Sequence, residues 1–94
     1  MEKSFKVEKN LVSEENVLNW VIVQESFQKA FGSEIYSSWL KNISLIKEYN
    51  HYVILGVQTR FFRDWITSRY ADKILKELQK HKLSINRIEF KIEG

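Results

Sequence analysis

The sequence predicts an α+β fold in which a three-stranded sheet packs against helices, in the order helix, helix, strand, strand, helix, strand. Three observations lead to this fold class. Apolar residues recur at helical spacing in three segments, and residues 42–57 are dense in β-branched and aromatic residues on both sides of a turn. Near the end of the chain, Ile88, Phe90 and Ile92 alternate with charged residues, as in a strand with one buried face.

The composition limits the classes of protein to be considered. A chain of 94 residues is one small domain, and its hydrophobic fraction of 44% argues against global disorder. The chain has no cysteine, so disulfides, thiolate metal ligands and a cysteine nucleophile are excluded. No apolar run has the length of a signal peptide or a membrane span, and we therefore expect a cytoplasmic protein without a membrane partner.

Charge is distributed unevenly along the chain. Residues 1–40 hold four Lys and six Glu, whereas residues 41–94 hold eleven Lys or Arg against six Asp or Glu. A basic half of this kind can contact nucleic acid or an acidic partner, and it can equally be a solvated face.

The first helix follows a leader. We expect residues 1–11 to be flexible and residues 12–94 to form a single domain. Ser13, followed by two glutamates, predicts a helix start, and Gly32 predicts a left-handed stop after Phe31. One face of this helix forms a core stripe of Trp20, Val23, Phe27, Ala30 and Phe31. A second apolar strip lies outside that stripe and consists of Val17, Leu18, Val21 and Ile22.

A short second helix and a hairpin come next. Ser33 can cap the helix, whose apolar positions are Ile35, Tyr36, Trp39 and Leu40. The segment NISLIKEYNHYVILGV then predicts two strands joined by a turn at residues 48–51.

The third helix is predicted from Arg60 to about His81, with Thr59 as its cap. Its apolar positions at three-four spacing are Phe61, Phe62, Trp65, Ile66, Tyr70, Ile74, Leu75 and Leu78. The final segment SINRIEFKI predicts the last strand. This element order is compatible with a KH-like arrangement, although the GxxG loop with which KH modules clamp nucleic acid is absent.

Catalysis has little support in the sequence. His51 falls in the predicted turn and His81 at a helix end, and neither has a patterned partner. There is no GxGxxG and no GxxxxGK[ST] phosphate loop. We therefore expect no enzyme activity, no cofactor and no metal site.

Two surface features remain as candidate contact sites. The strip of Val17, Leu18, Val21 and Ile22 packs against the leader or the sheet, or it forms a self-association face. The paired phenylalanines Phe61 and Phe62 lie about 100° apart on a helix, so both cannot occupy the centre of the same face. We expect Phe62 to be in the core and Phe61 to be exposed, with Arg60 and Arg63 as its polar rim.

Three motifs give the chain a resemblance to a known family. They are Trp20 with Phe27 and Phe31, then Tyr36-Ser-Ser-Trp39-Leu40, then Phe61-Phe62-Arg63-Asp64-Trp65-Ile66 with Tyr70. In this order and spacing, over roughly residues 17–92, the chain resembles the amino-terminal domain of bacterial chromosomal replication initiators, the DnaA family. Two prolines common in that family are missing: Gln58-Thr59 replaces a Pro-Asn, and Asn42 lies near the other position.

The resemblance implies a KH-like, non-enzymatic interaction domain of DNA replication initiation. Its implied partners are the replicative helicase, other initiator molecules and regulators of initiation. The position of the family's helicase-contact phenylalanine matches Phe61, and the position of its acidic contact in the second helix matches Ile35, with Glu34 beside it. Trp20 matches a tryptophan that supports self-association. The chain is then either an excised domain or a stand-alone relative, such as a regulator that mimics the domain.

A nucleic-acid-binding module is the rival hypothesis. The third helix carries six basic residues, of which the later four are the candidate contacts to weakly bound single-stranded DNA. The six residues are Arg60, Arg63, Arg69, Lys73, Lys76 and Lys80.

Overall fold

The computed structural model describes residues 17–93. Its helices are α1 (Trp20–Phe31), α2 (Ser33–Ser38) and α3 (Arg60–Gln79), with a short 3-10 turn at Leu40–Asn42. Its strands are β1 (Ser44–Glu48), β2 (Tyr52–Val57) and β3 (Arg87–Ile92). The predicted α+β class and element order are thereby confirmed. The predicted leader lies outside the described residues.

The strands form one mixed sheet in the order β1-β2-β3. β1 and β2 are antiparallel and joined by the predicted hairpin, with an irregular register between Leu45 and Lys47. β2 and β3 are parallel, so the chain must cross over between them, and α3 makes that crossover. The sheet therefore has β2 at its centre and two edge strands.

Helix α1 begins later than predicted. Its cap is Asn19, whose Oδ1 accepts the backbone N–H of Ile22 at 3.3 Å, and residues 17–19 are not helical. Ser13, the predicted cap, lies outside the described residues. The physical reason for the late start is tertiary, because the N–H of Leu18 donates to both carboxylate oxygens of Glu48 at 3.1 Å. The predicted stop is confirmed at Gly32, which has a positive φ of 85°.

The cap of α2 also differs from the prediction. Ser33 is the first helical residue, and the cap position is Gly32, which offers no side-chain hydrogen bond. The predicted start of α3 is confirmed, since Thr59 Oγ1 accepts the N–H of Phe62 at 3.0 Å. Helix α3 ends at Gln79, two residues before the predicted end.

The core lies between the helices and one face of the sheet. Val23 and Phe27 of α1 are fully buried, and so are Ile66, Ile74 and Leu78 of α3. Ile92 departs from the predicted buried face, since it is 38% exposed as the last residue of an edge strand. Within residues 17–93, no helix is long and apolar enough to cross a membrane.

Candidate interaction surfaces

An aromatic cluster joins the end of α2 to the start of α3. The indoles of Trp39 and Trp65 stack with centroids 3.6 Å apart and planes 9° apart. Trp39 also contacts Phe62, at 5.2 Å between centroids, and Phe61, at 6.4 Å. The stack therefore fixes the first turn of α3 against the segment that follows α2.

The two adjacent phenylalanines have opposite environments. Phe62 is 8% exposed and belongs to the core, whereas Phe61 is 70% exposed. The predicted division between them is confirmed, because one residue step rotates the side chain by about 100° around the helix. Phe61 is thus a large apolar side chain in solvent, held beside an ordered aromatic stack.

The polar rim of Phe61 is partly engaged within the chain. Arg63 Nε donates to Asp64 Oδ1 at 3.2 Å, with 36% of the Arg63 side chain and 63% of the Asp64 side chain exposed. An ion pair this exposed holds its partners weakly, so the guanidinium remains available to another carboxylate. Arg60 is exposed as well.

The two candidate partner-contact residues in α2, Glu34 and Ile35, have different environments. Glu34 is exposed in the first turn of the helix. Ile35 is half-buried and packs against the core, so most of its side chain already has an intramolecular role. A side chain packed in this way offers a partner less surface than Glu34 does.

Only part of the apolar strip on and before α1 is exposed to solvent. Val17 and Val21 are each 63% exposed, and Ile22 is 49% exposed. Leu18 is 7% exposed and belongs to the core, which agrees for this residue with the packing alternative and leaves it little surface for self-association. Trp20 is half-buried and packs edge-on against Phe27, with centroids 5.9 Å apart. The exposed strip is therefore Val17, Val21 and Ile22.

Four basic residues share one face, three of them on α3 and the fourth, Lys80, at its C-terminal cap. At 100° per residue, Arg69, Lys73, Lys76 and Lys80 fall within about 60° of arc and rise about 16 Å along the helix. Arg69 lies over the Trp65 ring at 5.1 Å, and Lys73 lies over the Phe31 ring at 4.7 Å. Arg60 and Arg63 lie at least about 80° away around the helix, so the structure does not bring all six cations together.

A buried carboxylate lies in the groove between α1 and α3. Glu77 is 7% exposed, accepts a hydrogen bond from the Ser26 hydroxyl and pairs with Lys80 Nζ at 3.1 Å. Burial raises the pKa of Glu77, but the Ser26 hydrogen bond, Lys80 and the nearby His81 together leave it below its ordinary value. The groove, of about 410 Å³, also includes the exposed Ile22. The burial of Glu77 was not expected from the sequence, although the residue lies three positions after Ile74 on the core-facing stripe of α3.

Metal binding finds no support in the part of the chain that the structure describes. Within residues 17–93, no three His, Asp or Glu side chains are grouped so that they could hold a metal ion. His51 is exposed in the hairpin turn, where its ring nitrogen Nδ1 lies 3.3 Å from the carbonyl oxygen of Ser84.

These observations define a small α+β domain that carries an exposed aromatic side chain beside an ordered aromatic stack. The family profile described as "DnaA N-terminal domain" matches residues 19–80. The chain therefore belongs to the DnaA N-terminal domain family.

Several relatives share the name "Chromosomal replication initiator protein DnaA". The protein from Wolbachia pipientis wMel is 35% identical over 81 residues, which cover 86% of this chain and 17% of the relative. The protein from Rhodopseudomonas palustris (strain TIE-1) is 32% identical over 75 residues, or 80% of this chain and 16% of the relative. The protein from Rickettsia canadensis (strain McKiel) is 34% identical over 76 residues, which cover 80% of this chain and 16% of the relative. This chain thus spans about a sixth of the length of these relatives.

Proposed function

We propose that this chain is a non-enzymatic interaction domain of DNA replication initiation, acting through contacts with the replicative helicase, with other initiator molecules or with regulators of initiation. Membership of the DnaA N-terminal domain family and the names of the relatives support this function. The observation that carries it is the exposure of Phe61.

An exposed phenylalanine contributes most binding free energy when the residues around it are already ordered. Phe61 is 70% exposed, and its neighbour Trp39 is held by the stack on Trp65. Little conformational entropy is lost when a partner covers a side chain on such a rigid base. Aromatic and arginine side chains are also the types enriched among residues that dominate binding energy. We assign Phe61 as the anchor, with Arg60, Arg63 and Glu34 as charged contacts around it.

The test is capture of the purified replicative helicase of the source organism by the immobilised domain. Phe61→Ala is expected to weaken capture by about tenfold or more. Leu83→Ala is the matched control, since Leu83 is 89% exposed but lies beyond the other end of α3, about 30 Å along the helix. Equal capture by the parent, Phe61→Ala and Leu83→Ala would remove Phe61 from the helicase contact.

Self-association through α1 is the second part of the proposal. Val17, Val21 and Ile22 form an apolar surface that a second copy could cover, helix against helix. Trp20, whose position matches the family's self-association tryptophan, is half-buried and packs against the core, so Trp20→Ala is expected to lower both self-association and stability.

Val21→Asp separates these two effects, because Val21 is 63% exposed and its loss leaves the core intact. Sedimentation over a concentration series is expected to show weaker self-association for Val21→Asp than for Gln28→Asp, an exposed position on the same helix. Identical association of the two variants would argue against a face formed by α1.

Single-stranded nucleic acid is a second candidate ligand. The shared face of Arg69, Lys73, Lys76 and Lys80 supports it, because a row of cations can follow a phosphate backbone. Titration of a labelled oligonucleotide is expected to show binding that weakens steeply with salt. The variant Lys73→Glu/Lys76→Glu should lose this binding, whereas Lys41→Glu/Lys47→Glu, at two exposed lysines outside α3, should keep it. No binding by the parent chain at low salt would leave protein contacts as the function.

A further inference from the structure

Strand β3 forms one edge of the sheet, and within residues 17–93 no strand pairs with its outer side. At its end, Glu93 donates its backbone N–H to the carbonyl of Val57 at 2.7 Å. Backbone N–H and C=O groups alternate in direction along an extended chain. Ile88, Phe90 and Ile92 therefore direct these groups away from β2, to the free edge. This edge can accept one more strand.

The charges along this edge are complementary to those of a second copy that runs in the opposite direction. It reads RIEFKIE from Arg87 to Glu93. When two copies run antiparallel with Phe90 opposite Phe90, Arg87 faces Glu93 and Glu89 faces Lys91, and each pair occurs twice. Ile88 faces Ile92 in the same arrangement. Each charged position then lies opposite a position of opposite charge, which stabilises antiparallel pairing. Glu89 and Lys91 are the central pair, because within its own chain Glu93 accepts from Ser44 Oγ at 3.2 Å and Arg87 lies over the Tyr52 ring at 3.8 Å.

Two neighbouring registers also keep each side chain on the same face of the sheet, but they lack this charge complementarity. A shift that centres the pairing on Glu89 sets two glutamates opposite each other and sets Arg87 against Lys91. A shift that centres it on Lys91 sets two lysines opposite each other and Glu89 against Glu93. Like charges directly opposite destabilise a strand pair, so charge selects the register centred on Phe90.

A groove beside the edge fits the apolar face of an added strand. It measures about 240 Å³ and lies between α3 and β3. Its apolar lining consists of Ala71, Leu75, Ile88 and Phe90, and its polar lining consists of Thr67, Asp72, Asn86 and Arg87. Ile92 is 38% exposed at the end of the edge. An antiparallel partner strand would place its own Ile92 beside Ile88 and would cover this apolar surface.

We propose that two copies of this chain associate edge to edge through β3, with a two-fold axis at Phe90, to form a continuous six-stranded sheet. An interface of this kind uses the same patch on both copies, as expected of a two-fold dimer. It is separate from the α1 strip of Val17, Val21 and Ile22. The charged residues of β3 could instead serve to keep edge strands apart. In that case no association through β3 is expected.

The test uses charge exchange between two chains, followed by sedimentation equilibrium. Glu89→Lys sets positive groups opposite each other at both symmetric places, and Lys91→Glu does the same with negative groups. Each variant alone is expected to associate about tenfold more weakly than the parent. An equimolar mixture of the two restores opposite charges across the junction and is expected to recover parental association.

The mixture controls for damage within each chain. Glu89 pairs with Arg87 at 2.7 Å in its own strand, and this pair is lost in Glu89→Lys whether or not the partner variant is present. Recovery in the mixture can therefore come only from contact between chains. Val21→Asp, at the α1 strip, is expected to leave the edge pairing and its charge dependence unchanged.

Three results would overturn the proposal. The first is a parent chain that sediments as a monomer up to about 1 mM, where even weak, small interfaces are populated. The second is a mixture of Glu89→Lys and Lys91→Glu that associates no better than either variant alone. Loss of all association in Val21→Asp, with no effect of Glu89→Lys, would assign self-association to the α1 strip and also reject pairing through β3.

Discussion

Trp39 and Trp65 stack face to face at 3.6 Å, which joins the end of α2 to the first turns of α3. Phe61 and Phe62 both lie against Trp39, one on the solvent side and one on the core side. The stack is thus part of the core and also supports the exposed anchor. Changes to it are expected to alter stability and partner binding together.

The stack itself gives the first prediction. Trp39→Ala is expected to lower the free energy of unfolding by about 3 kcal/mol, because it removes a large, partly buried aromatic side chain. Trp39→Phe keeps an aromatic ring and is expected to cost about 1 kcal/mol. Urea denaturation followed by circular dichroism measures both values without relying on tryptophan fluorescence. Equal costs for the two variants would show that an aromatic ring at position 39 contributes nothing to stability, which would contradict a stabilising role of the stack.

The adjacent phenylalanines give the second prediction. Phe61→Ala is expected to change the free energy of unfolding by no more than about 0.5 kcal/mol, because the side chain is 70% exposed. Phe62→Ala, one residue further on and 8% exposed, is expected to cost about 3–5 kcal/mol. Chemical denaturation of the pair measures the contrast. If Phe61→Ala is as destabilising as Phe62→Ala, Phe61 belongs to the core and is not a partner anchor.

The third prediction concerns the salt bridge between Lys82 and Glu48. Lys82 is 6% exposed and donates to Glu48 Oε2 at 2.8 Å and to the carbonyl of Tyr49 at 2.9 Å. Glu48→Gln leaves the buried ammonium without its opposite charge and is expected to cost about 3 kcal/mol. In Glu48→Gln/Lys82→Met no buried charge remains, and the glutamine oxygen can still accept the N–H of Leu18.

The double variant is therefore expected to be more stable than Glu48→Gln alone. A double-mutant cycle measured by urea denaturation gives the coupling free energy between the two positions. Strict additivity of the two single changes would mean that the contact contributes no coupling.

The fourth prediction is a pH dependence due to Glu77. The hydrogen bond from Ser26 and the charges of Lys80 and His81 hold the pKa of Glu77 below its ordinary value of 4.5, despite burial. The ionised carboxylate is thus bound more favourably in the folded state. Its contribution is fully present above the ordinary pKa and is lost as the pH falls from 4.5 towards the folded-state pKa.

The measurement is the urea midpoint of the parent and of Glu77→Gln between about pH 7 and pH 3. At neutral pH, Glu77→Gln is expected to be less stable by about 1–3 kcal/mol, because it loses hydrogen bonds to a charged acceptor. This difference should shrink as the pH falls below 4.5, since protonation removes the same charge from the parent. A difference that stays constant over the whole range would show that the carboxylate charge of Glu77 has no part in stability.

Local signals were sufficient for much of the fold. The Thr59 cap, the Gly32 stop and the apolar spacing of α3 each act within a few residues, and all three appear as predicted. The exposure of Phe61 also followed from local geometry, because helical periodicity alone separates it from Phe62.

Contacts between distant residues decided the rest. The sequence by itself determined the order of the elements and the two faces of α3, since capping and periodicity are properties of neighbouring residues. The tertiary structure alone decided the late start of α1, because Leu18 donates to Glu48, 30 residues away, and is buried in the core. It also decided the burial of Lys82 and Glu77 and the stacking of Trp39 on Trp65. Each of these depends on which side chains the fold brings together, and no short-range pattern specifies that.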